Sequence, residues 1–206
     1  MNLSRPLSLA LATLLFLPAT GAGPPGKMTL PDFTKGDRIP EGAKHDWNLG
    51  ATGARGWIFS DKMVTSDARQ VFITRVAKGS PAEDILAIGD VLLGVSGKPF
   101  SYDPRTEMGK ALTSSEASDG SLSLIRWRSG DKETVTLTLP VLGKYSATAP
   151  YNCQKSQRIL EQGCHILAQR IVAKDYRENP ITRSLNALAL LASGDEKHHP
   201  IVRKEV

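Results

Sequence analysis

Alternating apolar and polar positions predict several short strands in the middle of the chain. The segment VFITRV at 71–76 alternates and is rich in β-branched residues, which is typical of a strand. DVLLGVSG at 90–97 predicts a second strand that ends in a tight turn. SLSLIRWR and ETVTLTLPV alternate on either side of Ser129-Gly130-Asp131, which predicts a hairpin. We therefore expect residues 44–143 to form a strand-rich domain.

Two helical segments interrupt these strands. DPRTEMGKALTSSEAS at 103–118 begins with an Asp-Pro pair that is typical of a helix start. Its predicted inner face carries Met108, Ala111, Leu112 and Ser115. SPAEDIL at 80–86 predicts a single helical turn, with Ser80 as N-cap and Pro81 in the first helical position.

Residues 151–206 change to a helical period, after a predicted linker at 144–150. Asn179, Pro180 and Gly194 have the sequence of a helix that starts with a cap and stops at glycine. The predicted apolar faces of the two helices carry Leu160, Cys164, Leu167 and Ile171, and then Ile181, Leu185, Leu188 and Ala192. Two helices cannot bury this much apolar surface alone. Either the helical hairpin packs on the strand-rich domain, or it is the start of a truncated helical domain, as a third helical segment at 200–206 suggests.

The first 22 residues predict a cleaved signal peptide. Arg5 precedes an apolar run from Leu7 to Leu17, and small residues follow Pro18 as far as Ala22. The run is too short to span a bilayer, which takes about 20 residues. We expect export to the periplasm or the extracellular space, with an uncleaved N-terminal anchor as the alternative. Residues 23–43 contain four prolines and predict an extended lead-in.

Composition argues against several classes of function. The net charge is +5, the basic residues are scattered and aromatics make up 6% of the chain, so nucleic acid is not expected as a partner. No membrane association is expected after signal cleavage. Cys153 and Cys164 are too far apart along one helix to form a disulfide, and no metal site or cofactor is predicted. None of the four histidines has a catalytic context, so no catalytic residue is expected within this chain.

Three short motifs resemble the PDZ domains of bacterial secreted proteins. They are Gly79-Ser80-Pro81-Ala82, Gly89-Asp90-Val91-Leu92 and Val95-Ser96-Gly97-Lys98-Pro99. The resemblance covers residues 44–143 and implies an α+β fold, a small partly open β-barrel with two helices, here followed by an all-α hairpin. The chain departs from the family at Asp84–Ala87, where Ala-Gly-Leu is usual, and at Ser96, where Asn is usual. SLNALALLASGD at 184–195 also resembles, weakly, a repeat of α/α-toroid proteins.

The PDZ resemblance implies a peptide groove between one strand and one helix. Ala54-Arg55-Gly56-Trp57 fits the loop that binds a terminal carboxylate, except that Arg55 replaces an apolar residue; Leu49-Gly50-Ala51 is the alternative frame. In this interpretation Gly56 turns the backbone N–H groups inward, and Arg55 either binds the carboxylate or is solvated. The groove residues are then Arg55, Gly56, Trp57, Ile58 and Phe59, with Met108 and Leu112 from the facing helix; Trp57, Met108 and Leu112 could equally be core.

Three functions remain open at this point. The first is an exported protein whose PDZ-like module captures extended or C-terminal peptide segments by strand addition. The second is the N-terminal targeting part of a larger secreted enzyme whose catalytic helical domain lies outside these residues. The third is a closed groove that binds nothing.

Overall fold

Seven strands form one antiparallel sheet in a computed structural model that describes residues 29–205. The predicted signal peptide lies outside these residues. The strands are β1 (Trp47–Asn48), β2 (Ala54–Ile58), β3 (Val71–Val76), β4 (Val91–Val95), β5 (Lys98–Pro99), β6 (Ser121–Arg128) and β7 (Asp131–Thr138). Their order in the sheet is β1-β2-β3-β4-β6-β7, with β5 paired to β4. Within residues 29–205, β1 and β7 each pair on one side only, so the sheet is open, as expected for a partly open PDZ-type fold.

Two tight turns lie where the sequence predicts them, one within the predicted hairpin and one at the end of the second predicted strand. Ser129 and Gly130 have φ values of 51° and 104° and connect β6 to β7, which pair along all eight residues of each strand. Ser96 and Gly97, at 54° and 73°, make the same kind of turn between β4 and β5. Positive φ at both central residues matches the natural twist of a two-residue hairpin.

Helix α1 (Pro104–Glu116) begins and packs as predicted. The side chain of Asp103 accepts a hydrogen bond from the backbone N–H of Arg105 at 2.9 Å, which caps the helix. Met108, Ala111 and Ser115 are buried, and Leu112 is half-buried. The predicted helical turn at 80–86 is wrong: the segment forms consecutive turns, because Asp84 adopts a left-handed conformation with φ of 65°.

Asp90 explains the Gly-Asp pair before β4. Its side chain is 1% exposed and accepts two hydrogen bonds from the guanidinium of Arg128, at 2.6 and 2.8 Å. It also accepts the backbone N–H of Ala87 at 2.8 Å, which closes the turn before it. Gly89 supplies the left-handed residue that this turn requires, with φ of 96°. The motif therefore ties the turn at 81–89 to the end of β6.

The lead-in packs against the sheet instead of lying loosely beside it. Phe33, in a short 3-10 turn at Phe33–Lys35, is 4% exposed and contacts Trp57 edge-on, with ring centroids 5.6 Å apart. The indole N–H of Trp57 donates to the carbonyl of Ala43 at 2.9 Å. These contacts bury aromatic surface and satisfy its polar atom.

Three helices make up the C-terminal part: α2 (Gln154–Val172), α3 (Pro180–Ala192) and α4 (His199–Glu205). Asn179 caps α3 by accepting the N–H of Thr182 at 2.9 Å, and Gly194 follows its end with φ of 71°, both as predicted. The predicted third helix is α4. None of the helices within the described part of the chain is long and apolar enough to cross a membrane.

The predicted apolar face of α3 is largely exposed in the described part of the chain. Ile181, Leu185 and Leu188 are 75%, 59% and 60% exposed, and on α2 the side chain of Leu160 is also exposed. The helices instead pack through another face, because α4 lies against α3 on the side of Ala187 and Leu190. The buried set is Cys164, Ala168, Ile171, Ala187, Leu190 and Val202.

The first residues of α2 connect the helical part to the sheet domain. The Lys155 side chain is 1% exposed, bonds the carboxylate of Glu116 at the end of α1, and lies over the ring of Tyr145. Cys153, the N-cap of α2, and Cys164 are both free and buried, in agreement with the prediction that they do not pair.

Candidate peptide-binding groove

The edge of β2 that faces α1 already pairs with a strand of the same chain. One edge of β2 pairs with β3, and the other pairs with β1 in antiparallel register, Trp47 opposite Gly56 and Asn48 opposite Arg55. The backbone N–H of Leu49 donates to the carbonyl of Ala54 at 3.0 Å and extends this pairing toward the turn. An extended segment therefore lies where a peptide would add to β2.

The turn between β1 and β2 lies at 49–53, in the alternative frame that the sequence offers. Gly50–Thr52 is a 3-10 turn, and Gly50 and Gly53 have φ values of 63° and 74°. Ala54–Trp57, the preferred frame for the carboxylate loop, is instead extended and belongs to β2.

Gly56 was predicted to turn the backbone N–H groups of a carboxylate loop inward, but the structure gives it a packing role. It is not among the residues with positive φ. A Cβ added there would lie 2.4 Å from Cγ1 of Val71 on β3 and 3.4 Å from Cδ1 of Leu49. Glycine is needed at this position because the Val71 side chain on β3 approaches the backbone of β2 closely, whereas 3.4 Å from Leu49 is ordinary van der Waals contact.

Arg55 binds a carboxylate, and that carboxylate belongs to the chain itself. Its Nε donates to Oδ1 of Asp46 at 2.8 Å, and its Nη2 lies 2.6 Å from the same oxygen and donates to the Asp46 carbonyl at 3.0 Å. The other carboxylate oxygen of Asp46 accepts the hydroxyl of Thr74 on β3 at 2.7 Å. The Arg55 guanidinium lowers the pKa of Asp46, against an opposing effect of burial, with a smaller contribution from Thr74.

Trp47 of β1 lies toward α1. The guanidinium carbon of Arg105, in the first turn of α1, lies 4.2 Å from the ring centroid of Trp47. Leu49, which follows β1, is 4% exposed, and a Cβ at the next residue, Gly50, would lie 3.1 Å from Cδ1 of Leu112. The segment and the turn after it therefore lie beside α1, near Arg105 in its first turn and Leu112 in its C-terminal half.

The groove between the edge of β2 and helix α1, together with the order of strands and turns, is the arrangement expected of a PDZ domain. A comparison with family models agrees. The family model of the PDZ domain matches residues 47–122. The sheet domain is a PDZ domain. The match begins at β1, so the strand that fills the groove lies within the matched residues. A PDZ domain is a protein-interaction module.

A second family model matches the helical part. It is described as a domain of unknown function, DUF6288, and it covers residues 156–206. This DUF6288 domain follows the PDZ domain and contains most of α2 and all of α3 and α4. Comparison with curated proteins gives no match.

The predicted groove residues of the PDZ domain fall into two groups. Arg55, Gly56 and Leu112 contact or border the segment that fills the groove. The others are buried in the main core: Trp57, Ile58, Phe59 and Met108. Trp57 is buried by the lead-in, in which Phe33 contacts its ring and the carbonyl of Ala43 accepts its indole N–H.

Several residues at the groove were not predicted from the sequence. They are Asp46, Trp47, Thr74 and Arg105; Leu49 was expected only within the alternative loop frame, Leu49-Gly50-Ala51. A signal for Asp46 and Trp47 was present: an acidic and an aromatic residue precede a Gly-x-x-Gly turn and a strand, which is a hairpin pattern. Thr74 and Arg105 are distant in the sequence from these residues and come close to them only in the folded chain.

Two other features do not compete with the groove as a site. A wide cleft of about 770 Å³ lies along α1, among Arg105, Thr106, Gly109, Lys110 and Lys144; it shares Arg105 with the groove, but β2 does not line it. Within residues 29–205, no three histidine, cysteine or acidic side chains come together as metal ligands.

Proposed function

We propose that the PDZ domain binds extended peptide segments, including C-terminal ones, by adding them as a strand to β2 in the groove that faces α1. One observation carries this proposal: the edge of β2 accepts an extended antiparallel segment, since β1 occupies it. A strand edge that pairs with one segment offers the same backbone donors and acceptors to another.

The segment in place is short enough to be exchanged. β1 is two residues long, and Asn48 within it is exposed. The indole N–H of Trp47 is buried without a hydrogen-bond partner within the described residues, so the fit of this segment is incomplete. A peptide with more residues along β2 would form more backbone hydrogen bonds than β1 does.

A screen of random C-terminal peptides against the chain tests this function, with amidated copies of each hit as controls. Hits that lose affinity on amidation indicate capture of the carboxylate. Hits that bind equally well when amidated indicate internal strand addition. The absence of hits from the folded protein would refute peptide binding and favour a permanently closed groove.

Export is part of the proposal, to the periplasm or the extracellular space. It is supported by the charged, apolar and small-residue regions within residues 1–22. The alternative function, targeting for a larger secreted enzyme, stays a prediction.

A further inference from the structure

The segment at 46–49 has the features of a bound ligand as well as those of a strand. Its backbone pairs with β2, and its side chains lie in different environments. Asp46 faces Arg55 and Thr74 across β2 and β3, Trp47 lies against Arg105 of α1, and Leu49 is buried in the main core.

We infer that Asp46–Leu49 is an internal ligand, and that the groove takes in its place peptide segments with the order acidic, aromatic, any residue, aliphatic. This inference rests on the proposed function and specifies its ligand. The three contacts below define the order, and each comes from a different part of the groove.

The acidic position is set by two donors. Arg55 and Thr74 donate to different oxygens of the Asp46 carboxylate, at 2.8 and 2.7 Å. Lysine or arginine at this position would place like charges together, and an apolar residue would leave both donors without this acceptor.

The aromatic position is set by a cation. The Arg105 guanidinium lies 4.2 Å from the centroid of the Trp47 ring, and the ring of His45 stands edge-on to the same indole at 4.6 Å. A guanidinium that lies over an aromatic ring is attracted by the quadrupole of the ring. An aromatic side chain is therefore favoured over an aliphatic one at the position of Trp47.

The aliphatic position is set by shape. Leu49 is 4% exposed and packs within the main buried core, where an aliphatic side chain fills the space and a polar one would be buried without water. The residue between, Asn48, is exposed and leaves that position free to vary.

An internal ligand lowers the apparent affinity for any external one. A conformation a few kcal/mol above the ground state is populated at about 0.1–10%, and apparent affinity falls by that fraction. Release of the segment should therefore raise the affinity for external peptides by about 10- to 1,000-fold.

The experiment compares the parent chain with the double variant Asp46→Ala/Trp47→Gly, which removes two side-chain contacts of the segment and no residue of the main buried core. Asp46→Asn is the milder second variant, and Lys44→Ala, at an exposed neighbouring position, is the matched control. Hydrogen exchange over 46–58 reports release of the segment, and protection of β6 and β7 reports that the domain stays folded.

The probe is the peptide Lys-His-Asp-Trp-Asn-Leu, a copy of residues 44–49, with versions that carry Lys for Asp, Ala for Trp or Ser for Leu. The double variant should bind the copy at least about tenfold more tightly than the parent and the Lys44→Ala control do. It should bind the copy with Asp about five- to tenfold more tightly than the version with Lys, which lies between the upper end for an exposed ion pair and the lower end for a charge-assisted hydrogen bond. Arg55→Ala, added to the double variant, should abolish that preference.

Two outcomes separate this inference from the proposed function. If screened peptides bind the parent and the double variant equally well, or bind without preference for the order above, the inference is overturned and peptide binding stands. If exchange shows that the segment is released and the domain folded, yet no peptide from the screen binds, the proposed function itself is refuted.

Discussion

Replacing Gly56 by alanine tests how closely β2, β3 and Leu49 are packed. The new Cβ would lie 2.4 Å from Cγ1 of Val71, a distance at which one of the two atoms must move. Val71 has no exposed surface and a branched side chain with little freedom at χ1, so it cannot step aside. Overpacking of this kind costs about 1–3 kcal/mol of the free energy of unfolding.

The sign of the change in the free energy of unfolding makes the Gly56→Ala substitution a strict test. Gly56 does not have a left-handed backbone conformation, so alanine brings no backbone strain there. Where space is available, a glycine-to-alanine change at such a position stabilises by about 0.4–1 kcal/mol through the unfolded chain. Gly109→Ala is the matched control: it lies in α1 with no neighbouring atom within 4 Å of the added Cβ, and it should stabilise by up to about 1 kcal/mol.

Urea unfolding followed by tryptophan fluorescence measures both changes. The three tryptophans, Trp47, Trp57 and Trp127, all lie in the PDZ part of the chain, so the signal reports its unfolding and not that of the helices. Val71→Ala should reduce the penalty of Gly56→Ala, with a coupling energy of about 0.5–3 kcal/mol. A Gly56→Ala variant as stable as the parent, or strictly additive effects in the double variant, would refute the packing described here.

Four further predictions concern separate parts of the chain. Asp90→Ala should destabilise the PDZ domain by about 2–3 kcal/mol in the same assay, because it removes a buried acceptor of three hydrogen bonds but leaves its partner guanidinium partly in water; a loss under about 0.5 kcal/mol would contradict this role. Because the pKa of Asp46 is lowered in the folded chain, its carboxylate stabilises the β1 pairing above the ordinary carboxyl pKa, and this effect is lost progressively as the pH falls from that value through the lowered pKa. Hydrogen exchange over 46–49, corrected for intrinsic rates, should rise between about pH 5 and about pH 3, and should be flat in Asp46→Asn. A fragment of residues 151–206 should self-associate or fold poorly, as gel filtration and thermal melts can show, whereas 23–145 should fold alone; a monomeric, cooperatively melting helical fragment would count against an incomplete helical domain. Exported protein should begin near Gly23 on N-terminal sequencing, and recovery of intact Met1 in the cytosol would contradict export.

Local chemistry made much of the PDZ domain predictable from the sequence. Alternating side chains, the Ser-Gly turns and the Asp-Pro helix start each act within a few residues, and the structure has the strands and α1 where these signals lie. The turn motif with Gly89-Asp90 was also visible, although its partner Arg128, 38 residues away, was not. The helical turn at 80–86 failed because one residue, Asp84, takes a left-handed conformation that the pattern does not reveal.

The tertiary structure alone decided which surfaces are covered. The periodicity of α3 offers apolar side chains on more than one side, and only the position of α4 selects Ala187 and Leu190 as the buried ones. In the same way, Trp57 became core because the lead-in lies over it, and Arg55 met a carboxylate because Asp46 lies beside it in a neighbouring strand. The sequence determines which side chains are apolar or charged and the local period that orders them. Which of them meet depends on contacts between segments that are distant along the chain, and these exist only once the chain has folded.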